Sequence, residues 1–424
     1  MTQKSTLTHP GHLMIGQLTA TELVERFGTP LYVMDEKMIR NQMQLFKRVF
    51  VHPKLASEVI YASKAFLTLA MCNLVEQEGL SLDVVSGGEL YTAYKAGFPM
   101  ERIYFHGNNK SAQELAMAIE LGCGTIVLDN PFELQLLLPL LDKPQRVLLR
   151  VNPGIDAHTH EYIATTKHDS KFGLSTADPA TLTLIQQLSD EPLIRFMGLH
   201  AHIGSQIFEA DSYRKEAETL LRFIRNHQLN IVELNLGGGF GIAYTEQDHP
   251  LTLSEFLPSL LDHIADQIEA LKLNPIKIMI EPGRSIVANA GTTLYTIATT
   301  KTTVNGKNYV FVDGSMADHI RTALYGAHYT AVVANRIDVT PAVHYTVTGK
   351  ACESGDIIIK DAYLPACQSG DILAVLSTGA YHYTMSSNYN RLPRPAVVFV
   401  SDNEARIVVR RETYEDLIRN DLGV

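Results

Sequence analysis

The sequence predicts an α/β protein: a (β/α)8 barrel followed by a second, mainly antiparallel β domain. Three observations predict it. Eight short apolar, β-prone segments alternate with amphipathic helical segments over roughly 250 residues, which is the arithmetic of such a barrel. Polar or charged residues stand at or just past the C-terminal end of these segments: Lys64, Asp83 with Ser86, His106, Asp129, Arg150 with Asn152, His202, Gly237-Gly238-Gly239 and Glu281. After Gly283 the alternation gives way to successive strand-like runs, with strong hairpin signals at Asn305-Gly306 and Ser401-Asp402-Asn403. A doubly wound sheet fits the strand count as well. The polar strand ends favour the barrel, where they converge on one face.

In chain order, the first thirty or so residues read as peripheral, and Leu31–Met34 is a short strand available to the later β domain. Barrel strands are expected at Val59–Ser63, Leu82–Val85, Ile103–Phe105, Thr125–Leu128, Val147–Val151, Met197–His202, Ile231–Leu236 and Lys277–Ile280. Helices are expected at Glu89–Ala96, Ala112–Leu121, Pro131–Leu141, Tyr213–Asn226 and Leu253–Leu271, where apolar residues recur at helical spacing. Thr292–Val304, Tyr309–Val312, Ala342–Val347, Ile372–Leu376, Ala396–Val400 and Ala405–Val409 read as the strands of the second domain. The expected division is an N-terminal segment, 1–36, joining the β domain, a barrel over 37–285, and the β domain over 286–424.

Composition narrows the function classes. The 424 residues are 46% hydrophobic, enough for a large core, and a net charge of −10 without a basic run argues against a nucleic-acid surface. Four cysteines without CxxC spacing fit reduced thiols in a cytoplasm. The stretch Met1–Pro10 has no apolar core of a secretory signal, and no uninterrupted apolar run approaches the ~18 residues of a membrane span.

Individual motifs carry chemistry, each beside a plainer reading. Lys64 ends a buried strand, so it is either a snorkelling surface residue or an amine held for chemistry. Gly237-Gly238-Gly239-Phe240-Gly241 follows a strand and lets backbone N–H groups approach a phosphate; the alternative is a tight structural turn. Neither a dinucleotide fingerprint nor a P-loop fits it. In Glu281-Pro282-Gly283-Arg284 the carboxylate and guanidinium could simply pair with each other. His200 and His202 alternate on one strand, but no third ligand stands at informative spacing, so no metal is expected. His200 reads as a packed or hydrogen-bonded barrel residue. Cys352, followed by Glu353 and Asp356, is better placed as a proton donor than as a nucleophile.

Together these motifs resemble the fold-type III, alanine-racemase-like decarboxylases that use pyridoxal 5′-phosphate (PLP). The resemblance runs from about Gly28 to Tyr389. It rests on Tyr61-Ala62-Ser63-Lys64-Ala65, Asp83-Val84-Val85-Ser86-Gly87-Gly88-Glu89-Leu90, His106-Gly107-Asn108-Asn109-Lys110, His202-Ile203-Gly204-Ser205-Gln206, the glycine run, Glu281-Pro282-Gly283-Arg284, Cys352-Glu353-Ser354-Gly355-Asp356 and Gly379-Ala380-Tyr381. It implies that Lys64 carries PLP as a Schiff base, with burial keeping its amine neutral. It further implies that Glu281 pairs with the pyridinium nitrogen and that His202 stacks on the ring. Asp83 and His106 line the cofactor site. The phosphate rests on Ser205, Gly238, Gly239, Gly283 with Arg284, and Tyr381.

For substrate, the resemblance implies that Arg284 and Arg321, with Tyr325 and Tyr381 beside them, hold a distal carboxylate, because guanidinium forks bind carboxylates bidentately. Glu353 of a partner subunit reads the distal ammonium, and Cys352 supplies a proton. The implied reaction is decarboxylation of meso-2,6-diaminopimelate to L-lysine by a cytoplasmic homodimer with shared active sites. Ser315 and Thr322 stand where the resembled pattern has glycine and proline, and His382 where glycine is common. Decarboxylation of lysine or ornithine on the same fold, or a non-catalytic homologue, are the alternatives.

Overall fold

A computed structural model describes residues 11–155 and 170–423. Residues 1–10, and with them the start of the expected N-terminal segment, lie outside the described residues. The described chain divides into two units, one of residues 42–155, 170–242 and 249–285, the other of residues 11–41, 243–248 and 286–423.

The first unit contains a closed parallel barrel of eight strands: β1 (Ser57–Ala62), β2 (Ser81–Val84), β3 (Ile103–Phe105), β4 (Thr125–Leu128), β5 (Gln145–Asn152), β6 (Ile194–His200), β7 (Glu233–Asn235) and β8 (Lys277–Ile280). Each pairs in parallel with the next, and β8 returns to β1 with Ile280 opposite Val59. All eight expected strands exist. Ile60, Tyr104, Val127, Leu148, Met197 and Met279, one inward residue from each of six strands, form a buried layer inside.

Side-chain caps set the helix starts, two of them where the apolar spacing places them and one earlier. Ser86 accepts from the Glu89 N–H and starts Gly87–Lys95, two residues before the expected start. Ser111 and Glu114 form a capping box for Ala112–Glu120, and Asn130 caps Pro131–Leu137. The helices Glu36–Val49, Leu69–Gln77 and Pro179–Asp190 were not anticipated.

The second unit is a mainly antiparallel β structure. Gly291–Thr302 is its long central strand, flanked antiparallel by Leu31–Asp35, Ile372–Leu376 and Asn308–Val312. Leu31–Asp35 also pairs in parallel with Ala396–Ser401. The expectation that the first thirty residues are peripheral is corrected: Ile15, Leu18, Ala20 and Leu23 are buried in one core cluster with Val33, Leu294 and Val398. The reason is the amphipathic helix Ala20–Phe27, capped by Thr19 and Glu22, which puts Ala20 and Leu23 on the covered side. Ile357–Leu364 is a further strand absent from the sequence reading; it pairs antiparallel with Val343–Thr348.

Candidate active site

The barrel brings polar residues from several strand ends to one face. Glu281 follows β8 directly and is 7% exposed. Its Oε1 lies 2.8 Å from Nε2 of His106, the residue after β3, and accepts from Asn235 Nδ2 at 2.7 Å. Its Oε2 lies 3.0 Å from Nε2 of His200, the last residue of β6. Burial by itself raises the Glu281 carboxyl, but the charges and hydrogen bonds of His106 and His200 outweigh it and hold the group well below the usual carboxylate range. Burial pushes His200 down to about 4, so it is neutral, whereas Glu281 and Asp83 together outweigh burial and raise His106. The result is an ionised carboxylate held in the barrel mouth.

Asp83, beside the end of β2, is buried with Oδ1 at 4.0 Å from His106 Nε2 and with no hydrogen bond to that oxygen among the described residues. Burial pushes its carboxyl up to about 7, against the opposing pull of His106. His202 is partly enclosed; its Nδ1 accepts from the Gly238 N–H at 3.1 Å. Burial, then the positive charges of Lys64 and Arg150, push its imidazole well below its ordinary value.

The glycine run needs its glycines. Gly239 has φ +97°, and a Cβ on Gly238 would stand 2.2 Å from the Glu281 carbonyl oxygen. The adjoining polar group is Arg284, whose Nη2 donates to Ser205 Oγ at 2.8 Å. The plain reading in which Arg284 pairs with Glu281 is thus corrected: Glu281 is engaged by two imidazoles and an amide, and Arg284 turns to Ser205.

Lys64 lies on a one-turn helix, Ser63–Ala65, directly after β1. Ser63 and Ala65 are buried, and Ser63 Oγ donates to Glu89 at 2.8 Å, but Lys64 itself is exposed. The expectation of a buried amine is therefore corrected. The turn anchors its neighbours inward and directs the one long side chain outward, while its charge still acts on Asp83, His202 and Glu89. Gly283 backs this turn, since a Cβ there would meet Ala62 Cβ and Ala65 Cβ at 3.0 and 3.1 Å.

In the β unit, Arg321 is 7% exposed and opens the helix Arg321–Tyr325. Its Cζ sits 5.0 Å from the ring centroid of Tyr325 and 5.2 Å from that of Tyr381, and its Nε donates to Tyr329 Oη at 2.9 Å. Among the described residues no carboxylate pairs with it. Cys352 and Glu353 are exposed; the Cys352 N–H donates to Asn390 Oδ1 at 2.7 Å. Ser315 and Thr322 are buried and tied down, Thr322 Oγ1 donating to the Ile358 carbonyl at 2.7 Å.

The sequence reading missed Asn235, the last residue of β7, although a polar residue just before the glycine run was a usable signal. Arg150, noted there only as a strand-end residue, is half-buried against Phe172, its Cζ 4.4 Å from the ring centroid, and influences Glu281 and Asp83. Tyr329 gave no signal. His106, His200 and Glu281 place three ligand-type atoms within 4.8 Å of one another, and within that group His200 is the hydrogen-bonded barrel residue the sequence suggests. That group comes from strands far apart in sequence.

Residues 36–288 match the family model described as "Pyridoxal-dependent decarboxylase, pyridoxal binding domain". The chain is 49% identical to the diaminopimelate decarboxylase of Bacillus subtilis, over 97% of this chain and 95% of that protein. It is 45% identical to the diaminopimelate decarboxylase of Staphylococcus aureus, over 97% and 98%. A crystal structure of diaminopimelate decarboxylase from M. jannaschii in complex with L-lysine superposes with a TM-score of 0.89 at 32% identity, covering 98% of this chain and 97% of that one. With a closed barrel that gathers an ionised carboxylate, two histidines and a glycine cradle at one mouth, the chain belongs to the pyridoxal-dependent decarboxylases.

Proposed function

We propose that this chain decarboxylates meso-2,6-diaminopimelate to L-lysine as a cytoplasmic homodimer. Pyridoxal 5′-phosphate is the cofactor, and the residues present fit it. The deeply ionised Glu281 suits a protonated ring nitrogen, and the side-chain-free run after β7 leaves its backbone open to a phosphate beside Ser205 and Arg284. When bound, PLP supplies an electron sink for the pair left by departing carbon dioxide. Lys64 would carry it, His202 would lie against the ring, and Asp83 and His106 would line its edge. Ser205, Gly238, Gly239, Gly283, Arg284 and Tyr381 would receive the phosphate. We assign 37–285 as the PLP-binding barrel and 1–36 with 286–424 as the β domain.

The observation that carries the substrate is Arg321. A buried guanidinium that meets a tyrosine hydroxyl and two aromatic rings, with no carboxylate among the described residues, is costly unless a ligand provides one. A distal carboxylate, held with Arg284 and Tyr325, does so and separates diaminopimelate from lysine and ornithine, which lack it. The exposed Glu353 and Cys352 suit delivery to a partner's site, where Glu353 would read the distal ammonium and Cys352 would hold the proton that replaces carbon dioxide. Four free cysteines support a reducing compartment, and no described helix is long and apolar enough to cross a membrane.

Carbon dioxide release measured across the diaminopimelate stereoisomers, lysine and ornithine tests the proposal. Release from the meso isomer alone is expected. Faster turnover of lysine or ornithine would move the function to another basic amino acid, and no release from any of them would favour a non-catalytic homologue.

A further inference from the structure

Arg321 has five N–H donors, and the fold has already committed one. Nε donates to Tyr329 Oη at 2.9 Å, a bond between buried groups. A guanidinium tied at Nε has its Nη1/Nη2 end left for a carboxylate, so the Tyr329 hydroxyl selects which edge of the fork is presented.

Tyr329 is itself held on several sides. The His319 ring meets it edge-on at 4.8 Å and 75°, the His382 ring at 5.1 Å and 82°, and Tyr244 at 5.1 Å and 77°. His319 and His382 also contact each other at 4.6 Å, and both are almost completely buried. His382 Nδ1 lies 3.0 Å from the Ala380 carbonyl, and His382 directly follows Tyr381, whose ring flanks the Arg321 guanidinium. One aromatic layer thus fixes both the hydroxyl that bonds Arg321 and the ring beside it. Burial, then the Arg321 charge, push His319 down to about 3, so His319 adds no second cation to compete for an anion.

We infer that Tyr329, clamped by His319 and His382, is a positioning residue that orients Arg321 and so sets the demand for a distal carboxylate. This rests on the diaminopimelate reading. It also gives His382, one of the three departures from the resembled pattern, a role in place of an arbitrary loop change.

The test uses purified, PLP-loaded enzyme. In Tyr329→Phe the ring stays and the hydroxyl goes. KM for meso-diaminopimelate is expected to rise about tenfold or more, the scale of a hydrogen bond to a charged group, with kcat changed less than about twofold. His382→Ala, which removes one wall of the clamp, should raise KM in the same direction by less. In an Arg321→Met background, Tyr329→Phe should add less than about twofold, because both act on one interaction. Thermal midpoints and cofactor absorbance, recorded for each variant, identify misfolding; if Tyr329→Phe misfolds, His382→Ala decides alone. Wild-type KM in folded Tyr329→Phe, or full additivity with Arg321→Met, overturns the inference. Preference of the wild-type enzyme for lysine or ornithine instead overturns the substrate reading on which it rests.

Discussion

Oε1 of Glu281 lies 2.8 Å from Nε2 of His106, joining the residue after the eighth barrel strand to the residue after the third. This contact keeps the carboxylate ionised despite its burial. Glu281→Gln retains the shape but not the charge. Its kcat at saturating PLP is expected to fall roughly 10²- to 10³-fold, the scale for losing a preorganised electrostatic partner. Near-wild-type kcat would show that no ring proton is held there.

Asp83 makes stability depend on pH. Its folded value of about 7 stands above the ordinary value near 4, so the folded state binds the proton more tightly. The associated stability is present below about pH 4 and is lost as pH rises towards about 7. Asp83→Asn removes that loss, so the variant should gain on the wild type across this window in urea midpoints. Parallel curves would contradict it.

Lys64 is exposed, so Lys64→Ala should change unfolding stability by no more than about 0.5 kcal/mol. It should abolish carbon dioxide release and the visible absorbance of lysine-bound PLP. Persistence of that absorbance would place the cofactor on another amine.

Gly238→Ala forces a Cβ to within 2.2 Å of the Glu281 carbonyl oxygen. A loss of about 1–3 kcal/mol is expected from this overpacking, with weaker retention of PLP on dialysis. Unchanged stability and retention would remove the cradle from the site.

Cys352→Ala and Glu353→Gln replace exposed side chains and should leave the thermal midpoint and PLP content near wild type while lowering turnover. Mixing the Cys352→Ala chain with a Lys64→Ala chain should restore activity in part if sites are shared across subunits. No restoration would place Cys352 and Lys64 in one subunit's site.

Much of the fold was legible because barrel strands are short apolar runs with turn residues between them. Ile103–Phe105, Thr125–Leu128 and Lys277–Ile280 match their expected limits residue for residue. Helix starts at Ala112, Pro131 and Leu253 match their expected positions, whereas those at Gly87 and Ala210 come earlier, the first because Ser86 caps it through a side-chain hydrogen bond that apolar periodicity does not register. Ile357–Leu364 escaped because Lys360 and Asp361 interrupt its alternation, a pattern tolerated where those residues face water.

By itself the sequence determined that polar residues end the barrel strands and that a glycine run follows the seventh. A strand's two-residue period tells which side a residue faces, but not which residue it meets. Only closure of the barrel placed Glu281 against His106 and against His200, 81 residues earlier, and so kept it ionised. Only the tertiary structure put Tyr329 on Arg321 and left Lys64 exposed on its turn, because partners and solvent access depend on contacts distant in the chain.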